Sequence, residues 1–325
     1  MNRRNLLVFA ALGALTFGIQ TAAAQAQNWP QRSVRFILPL GPGSGVDIGA
    51  RLIADRLSAK WGKPVVIENK PGGDAIVAIT AFLGANDDHV FLMAPTSTFT
   101  AHPFLHERLP YDLKDLMPIA RVSNTIVAVG VPTSSGINSV DDLIGRAKQE
   151  PGKLNSASAT GANDFVVAGF LKLKGAEVTR VPYRDAVQAV NDLAEGRIQL
   201  YVAALAIMRP QVQAGKVRII AVTNSERAPT MPEVPTAKEA GHPELSIDGL
   251  VGLFGLRDMP AELRDRIAAD IKEIAADPGV AAKINATAQI VRPGGPEEFA
   301  RAIEEQTRRV SESAAAGGVK RMLQN

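Results

Sequence analysis

The stretch Phe36–Leu57, "FILPLGPGSGVDIGARLIADRL", decides how the chain is read. "VRFIL" (34–38) is an apolar run of strand length, and the i,i+4 pairs Ile48/Leu52 and Ile53/Leu57 predict a helix from about Asp47 to Lys60. Arg51, Asp55 and Arg56 fall on the outer side of that helix. "PVVIE" (64–68) is a second strand, so the unit is βαβ and its strands are expected to run parallel. Between strand and helix lies Gly41-Pro42-Gly43-Ser44-Gly45-Val46-Asp47, a loop whose backbone amides suit an anion. As an ordinary βα turn, the same loop would use Asp47 as its N-cap.

The alternation continues outward. A helix after "PGGD" (71–74) leads to the strand "VFLMA" (90–94). "TIVAVGVP" (125–132) reads as one long strand, and "SVDDLIGRAKQ" (139–149) as a capped helix. The pattern then restarts with the strand "KLNSAS" (153–158) and a helix from Asn163 to Leu173, with Phe165, Val166, Phe170 and Leu173 inward. "VTRVPY" (178–183), a helix over Ala186–Glu195, "IQLYVAAL" (198–205) and "VRIIAVT" (217–223) follow. "LVGLFGL" (250–256) is a last strand, and two helices, from about Ala261 to Ala276 and from Pro296, close the chain. The expected fold class is α/β with two lobes: 27–127 in the first, 128–248 in the second, and 249–325 returning to the first with the C-terminal helices. The strands at 125–132 and 250–256 are the expected crossings.

Arg3 and Arg4, the apolar run Leu6–Ile19 and the small residues of "TAAAQAQ" read as a secretory signal peptide over 1–26, cleaved after Ala24 or Ala26. An uncleaved anchor is disfavoured, because about 20 apolar residues are needed to span a bilayer. Without those two arginines, 34 basic residues face 33 acidic ones, so the pI near 9.1 overstates how basic the exported protein is. No basic stripe with interleaved aromatics marks a nucleic-acid partner. Cys is absent, which removes thiol nucleophiles and thiolate metal sites and fits export to a periplasm without disulfides.

The glycine loop is not a nucleotide motif. A dinucleotide fingerprint would place a third glycine where Val46 stands, although Glu68 mimics the acidic ribose partner, and no Lys-Ser/Thr follows as a P-loop requires. A second strand-to-helix loop, "NSASATGANDF" (155–165), offers Ser156, Ser158, Thr160, Gly161 and Asn163. A third, "APTSTFT" (94–100), offers Ser97, and Tyr183-Arg184-Asp185 marks another such junction. In open α/β sheets ligands sit at the carboxyl ends of the strands, so these loops are expected to converge on one cleft. The three loops carry no Lys or Arg, so amides and hydroxyls would hold the anion; each loop singly also reads as a solvated turn. Catalytic constellations are poor: no G-x-S-x-G elbow occurs, and His102 and His106, at metal-binding i,i+4 spacing, lack an acidic partner. Neither metal, cofactor nor catalysis is expected, and packing or surface roles are the default for these histidines.

The segments "ILPLGPGSGVDIGARLIADRL", "GKPVVIENKPGG", "LPYDLKDLMPIARV", "VPYRDAVQAVNDLAEGRIQL", "GLFGL" and above all "AVTNSERAPTMPEVPTAKEAG" carry a family resemblance. The chain resembles the extracytoplasmic solute-binding receptors of tripartite tricarboxylate transporters, the Bug-type or TctC-like receptors, over essentially all of the mature sequence. The resemblance implies a two-lobed type II periplasmic-binding-protein fold with two hinge strands and a ligand cleft between the lobes. It also implies a monomeric periplasmic receptor that binds a small carboxylate without catalysis and delivers it to the membrane subunits of a transporter. The implied ligand contacts are Gly41, Pro42, Gly43, Ser44, Gly45 and Asp47, then Ser156, Ser158, Thr160, Gly161 and Asn163, with Ser97, Tyr183, Arg184 and Ala203 nearby.

Several positions depart from the family pattern. Ser44-Gly45-Val46 stands where consecutive glycines and Thr are more frequent, "NDDHV" (86–90) replaces a "PDGYT" turn, and Asp185 follows Arg184 where Gly is frequent. After "IQLYV", Ala203 and Ala204 stand where the family often has an acidic residue, which makes that side of the cleft more apolar. The ligand is thus open between di- or tricarboxylates and aromatic or longer-chain acids. Two competing functions share the fold: a receptor that feeds a signalling protein, and an exported enzyme.

Overall fold

The computed structural model describes residues 29–158, 161–183 and 185–323, so the expected signal peptide, Thr160 and Arg184 lie outside the described residues. Its strands are β1 (Val34–Leu38), β2 (Val65–Asn69), β3 (Val90–Pro95), β4 (Leu116–Thr125), β5 (Val127–Pro132), β6 (Leu154–Ser158), β7 (Val178–Pro182), β8 (Tyr201–Ala204), β9 (Val217–Val222), β10 (Gly249–Leu256) and β11 (Gln289–Gly294). The first sheet has the order β2-β1-β3-β10-β4-β11; β1 runs parallel to β2 and β3, and β10 antiparallel to β3 and β4. In the second lobe, β8-β5-β9 and β6-β7 are joined by a parallel bridge between Ser156 and Leu200, with the Ala157 amide donating to the Leu200 carbonyl at 2.9 Å. The continuous order is therefore β7-β6-β8-β5-β9, the same path as in the first lobe without its added edge strand.

The helices are α1 (Gly45–Trp61), α2 (Ile76–Ala85), α3 (Thr96–Leu105), α4 (Val140–Gln149), α5 (Ala162–Leu173), α6 (Ala186–Ala194), α7 (Leu205–Gln213), α8 (Ala261–Ala276), α9 (Pro278–Asn285) and α10 (Pro296–Gly317). Side chains alternate between the two faces of each sheet. Phe36, Leu38, Phe91 and Met93 pack with Ile53, Leu57 and Ile267 on one face, and Ile37, Leu92 and Ala94 with Ile79, Phe254 and Phe299 on the other. In the second lobe, Val127, Val129 and Val131 face Leu143, Val166 and Phe170, whereas Ala128, Tyr201 and Ala203 face Val190 and Met208. No helix among the described residues is long and apolar enough to cross a membrane.

The structure differs from the sequence expectation at the crossings. "TIVAVGVP" is two strands: β4 ends at Thr125 in the first sheet and β5 begins at Val127 in the second. Ile126 between them donates its amide to the Ala288 carbonyl at 3.1 Å, which redirects the chain. β10 lies wholly within the first sheet, and the second crossing is the irregular segment 223–248. The helix α9 and strand β11 lie between the two expected C-terminal helices, where the sequence predicts no element; Pro278 after Asp277 starts a new helix. Within helices, Ile48 and Leu173 point to solvent; Val46, Ala50 and Ile53 line the buried side of α1.

Two helices join the lobes. Phe99 of α3 belongs to the first-lobe core, while Ala101 and Phe104 belong to the second-lobe core, where Phe104 meets Phe165 at 5.6 Å. α10 does the same on a larger scale: Phe299 packs in the first lobe, Val310 and Ala314 in the second. The C-terminal helix therefore returns to the first lobe and then leaves it again.

Candidate functional site

The parallel strands end at one edge of each sheet, and these edges face one another. A Cβ built on Gly161, at the start of α5, would lie 3.8 Å from the Ser97 carbonyl in the first turn of α3. The expected loop "APTSTFT" is mostly helix, since α3 begins at Thr96, and Ser97 is a half-buried first-turn residue.

The first loop is shaped by Asp47. α1 begins at Gly45 with Ser44 as its N-cap; the Ser44 hydroxyl accepts from the Asp47 amide at 3.2 Å. Asp47, expected as the cap or a ligand contact, is 2 % exposed and fully engaged. Its carboxylate accepts from the Gly43 amide at 2.9 Å, from Arg51 at 3.0 and 3.1 Å, and from Asn69 Nδ2 at 2.9 Å. Burial alone would raise this carboxyl, but the bonds from Arg51, Asn69 and Gly43 hold it below the usual carboxylate range. Asn69 Nδ2 also donates to the Leu40 carbonyl at 2.9 Å, pinning the other end of the loop. The Gly43 amide is thus committed to Asp47. The amides of Gly45 and Val46 head the helix and have no carbonyl one turn back to bond within it. Gly41, Pro42 and Gly43 form the more open arc of the loop, where Gly43 has φ +83°.

The base of α1 is fixed from the far edge of the same sheet. Gln289 Nε2 donates to the Gly45 carbonyl at 2.6 Å, and its Oε1 accepts from Ser123 at 2.6 Å. A Cβ at Gly45 would stand 2.8 Å from the Thr287 carbonyl, so only glycine fits there. Gln289, Asn69 and Arg51 were not legible as site residues, because each acts through the fold and not through a local motif.

In the second lobe, Ser156 is buried within β6, in register with Arg180 of β7. Gly161 heads α5 at φ +111° with no side-chain cap, and Asn163 is half-buried in its first turn. The backbone of Ser158 ends β6 at the same edge. Tyr183 donates its hydroxyl to Asp192 at 2.7 Å, and burial together with this bond pushes it up to about 12. Ala203 is buried in the core, and Ala204, half-buried at the end of β8, is the residue at the edge.

The histidine pair is a packing device. His102 lies within 2.8 Å of the Asp74 carbonyl through Nε2 and within 2.5 Å of the Tyr111 hydroxyl through Nδ1, and its ring meets His106 edge to face at 5.2 Å. Burial holds His102 below its ordinary value, so the neutral ring donates Nε2–H to Asp74 and accepts from Tyr111. This bond anchors the Gly72–Ala75 turn, where four successive residues have positive φ. Among the described residues, Asp87, Asp88 and His89 bring three potential metal-ligand atoms within 4.8 Å. Those atoms are already used: Asp87 pairs with Arg32 at 2.7 Å, His89 Nδ1 lies 2.6 Å from Asp88, and His89 Nε2 accepts from the Gln31 amide at 3.2 Å. The cluster precedes β3, at the opposite end of the sheet from the facing edges.

Residues 49–314 match the model of the tripartite tricarboxylate transporter family receptor. Protein BugT of Bordetella pertussis is 29% identical over 249 residues, 75% of this chain and 76% of that protein. Among solved structures, one described as a periplasmic transporter is 29% identical with a TM-score of 0.77, covering 90% of this chain and 99% of its own. The R. palustris protein Rpa4515, determined with adipate, is 27% identical with a TM-score of 0.79 over the same shares of the two chains.

Proposed function

The chain belongs to the tripartite tricarboxylate transporter receptor family, and from that membership we propose that it captures a small carboxylate in the periplasm and delivers it to the membrane subunits of such a transporter. The observation that carries this reading is the approach of Gly161 to the Ser97 carbonyl, which brings the heads of α3 and α5, one from each lobe, next to each other. Helix heads favour negative charge and offer unpaired amides, so a carboxylate between them gains contacts from both lobes at once. Contacts to both lobes exist only when the lobes are together, so binding shifts the population toward the closed arrangement. The proposed contacts in the first lobe are the open arc Gly41–Pro42, the head of α1 at Ser44 and Gly45, and Ser97. In the second lobe they are Ser158, Thr160, Gly161 and Asn163, with Arg184 beside them. Asp47 and Tyr183 act as positioning residues in this reading, because their polar atoms are spent inside the protein. In this reading the lobes 27–127 with 249–325, and 128–248, close about α3 and α10, whose second halves pack in the second lobe, and the receptor acts as a monomer.

Thermal melts of the refolded, ligand-free protein against mono-, di-, tri- and aromatic carboxylates, amino acids and nucleotides test the proposal. At 100 times Kd a ligand adds about 2.7 kcal/mol, enough to raise Tm by several degrees. A rise confined to carboxylates is expected; a response to nucleotides alone, or to no carboxylate, overturns the reading.

A further inference from the structure

We propose that Gln306 of α10 is a positioning residue: it couples the head of α3, beside the proposed ligand contact Ser97, to the hinge between the lobes. This rests on the carboxylate-receptor reading above and deepens it, by naming the group that passes lobe position to the site.

Gln306 sits where the links between the lobes meet. It lies on α10 between Phe299, in the first-lobe core, and Val310, in the second, and is 3 % exposed. Its Oε1 accepts from the Thr96 hydroxyl at 2.6 Å and from the Thr100 hydroxyl at 3.2 Å, both buried and one turn apart on α3. Its Nε2 donates to the Asp248 carbonyl at 2.7 Å, where the second crossing enters β10. The Asp248 carboxylate accepts from the Ser225 amide and hydroxyl, each at 3.0 Å, and stands 3.6 Å from the buried Arg121 of β4. Ser225 follows Asn224, whose side chain bonds the Thr125 carbonyl and the Val127 amide on either side of the first crossing. One chain of polar contacts thus touches α3, α10 and both crossings.

Local sequence does little to hold the head of α3. Its N-cap is Pro95, no side chain among the described residues caps it, and Pro103 lies inside it. The buried amide of Gln306 supplies the constraint with both of its ends, accepting from the helix and donating to the crossing. Each of these bonds is costly to leave unmade in a buried site, so a shift of the crossing at Asp248 is passed to Thr96. Thr96 precedes Ser97, whose carbonyl Gly161 of the second lobe approaches, so the network reaches the point where the two lobes meet.

The test is hydrogen exchange on the refolded, ligand-free protein with two variants. Gln306→Met removes both bonds; Thr100→Val removes one hydroxyl at nearly constant shape and keeps the test open if the first variant does not fold. Exchange should rise several-fold for peptides covering 96–102 and for the Ser225 and Ile247 amides, which bond Asp248 at 3.0 Å and Thr223 at 2.8 Å, while α4 and α8 keep wild-type rates. A purely structural role would loosen α4 and α8 as well; that pattern, or no change at 96–102, overturns the inference. Calorimetry well below Tm with adipate, citrate and benzoate gives a second readout. Whichever of these binds the wild type should bind both variants several-fold more weakly. Wild-type affinity despite faster exchange at 96–102 overturns the positioning role and leaves the receptor reading standing. If none of the three binds, the exchange pattern alone decides the coupling; a protein that answers to no carboxylate in the melts overturns the receptor reading separately.

Discussion

The Oδ1 atom of Asn224 accepts a hydrogen bond from the Val127 amide at 2.9 Å. Its Nδ2 donates to the Thr125 carbonyl, also at 2.9 Å, so one fully buried side chain replaces the backbone pairing lost where β4 passes into β5. Asn224 stands in the second crossing, and it therefore ties the two crossings to each other.

Replacing Asn224 by Ala strands a buried amide and a buried carbonyl together. Each uncompensated group costs about 1–3 kcal/mol, so the variant is expected to lose about 2–6 kcal/mol. Urea unfolding followed by circular dichroism reads this directly. A loss below about 0.5 kcal/mol, the range of ordinary surface changes, would mean the bonds are not structural.

Asp47 gives a prediction in acid. Its carboxyl is held below the usual range in the folded chain, so its stabilisation is complete above the unfolded value near 4 and is lost as pH falls through the lower folded value. Asp47→Asn removes that dependence. The urea midpoint of the variant should fall less than that of the wild type between pH 5 and pH 3, and equal slopes would sink the assignment. At neutral pH the same variant should weaken carboxylate binding, because the Gly43 amide and Arg51 lose their common acceptor.

Much of the lobe architecture was legible from the sequence, and the reasons are local. Val34–Leu38 carries Phe36 and Leu38 on one face and Ile37 on the other and is a parallel strand buried but for Arg35; Ser139 followed by two aspartates heads α4 as its pattern required. The misreadings share a different cause. The break at Ile126 depends on Ala288 and Asn224, each about 100 residues or more away, and no window over "TIVAVGVP" contains that information. Ser97 was placed near the site but on a loop, since "TSTFT" has weak helix propensity; α3 forms because Phe99 and Phe104 bury into two cores. The loop glycines at 41–45 were visible as a motif, whereas the Asp47–Asn69 and Gly45–Gln289 bonds that shape them required the fold.

His102 predicts a second pH effect, at a higher range. The folded ring titrates below its ordinary value, while the unfolded chain takes up a proton near pH 6.5. Unfolding therefore binds protons in that interval, and stability should decline as pH falls below about 6.5 toward the folded value. His102→Gln, which keeps a donor of similar reach for the Asp74 carbonyl, should flatten the change in urea midpoint between pH 7 and pH 5.5. An unchanged slope would place the titrating group elsewhere.

Gly169 of α5 tests how the lobes are tied. A Cβ there would stand 2.5 Å from the Ser313 carbonyl and 3.0 Å from its Cα, both backbone atoms of α10 that cannot rotate aside. Gly169→Ala should push the helices apart at a cost of about 1–3 kcal/mol. The effect should travel, because Gln306 of the same α10 accepts from Thr96 at 2.6 Å and donates to the Asp248 carbonyl at 2.7 Å. Thr96 opens α3 beside Ser97, and Asp248 ends the second crossing, so displaced α10 should weaken carboxylate binding as well as stability. Gly145→Ala supplies the opposite sign: it lies in α4 with nothing within 4 Å of the added methyl, and should gain about 0.5–1 kcal/mol from reduced chain entropy. If both variants shift Tm upward, α5 and α10 are not held at close approach, and α10 is a cover on the second lobe instead of a strut between the two.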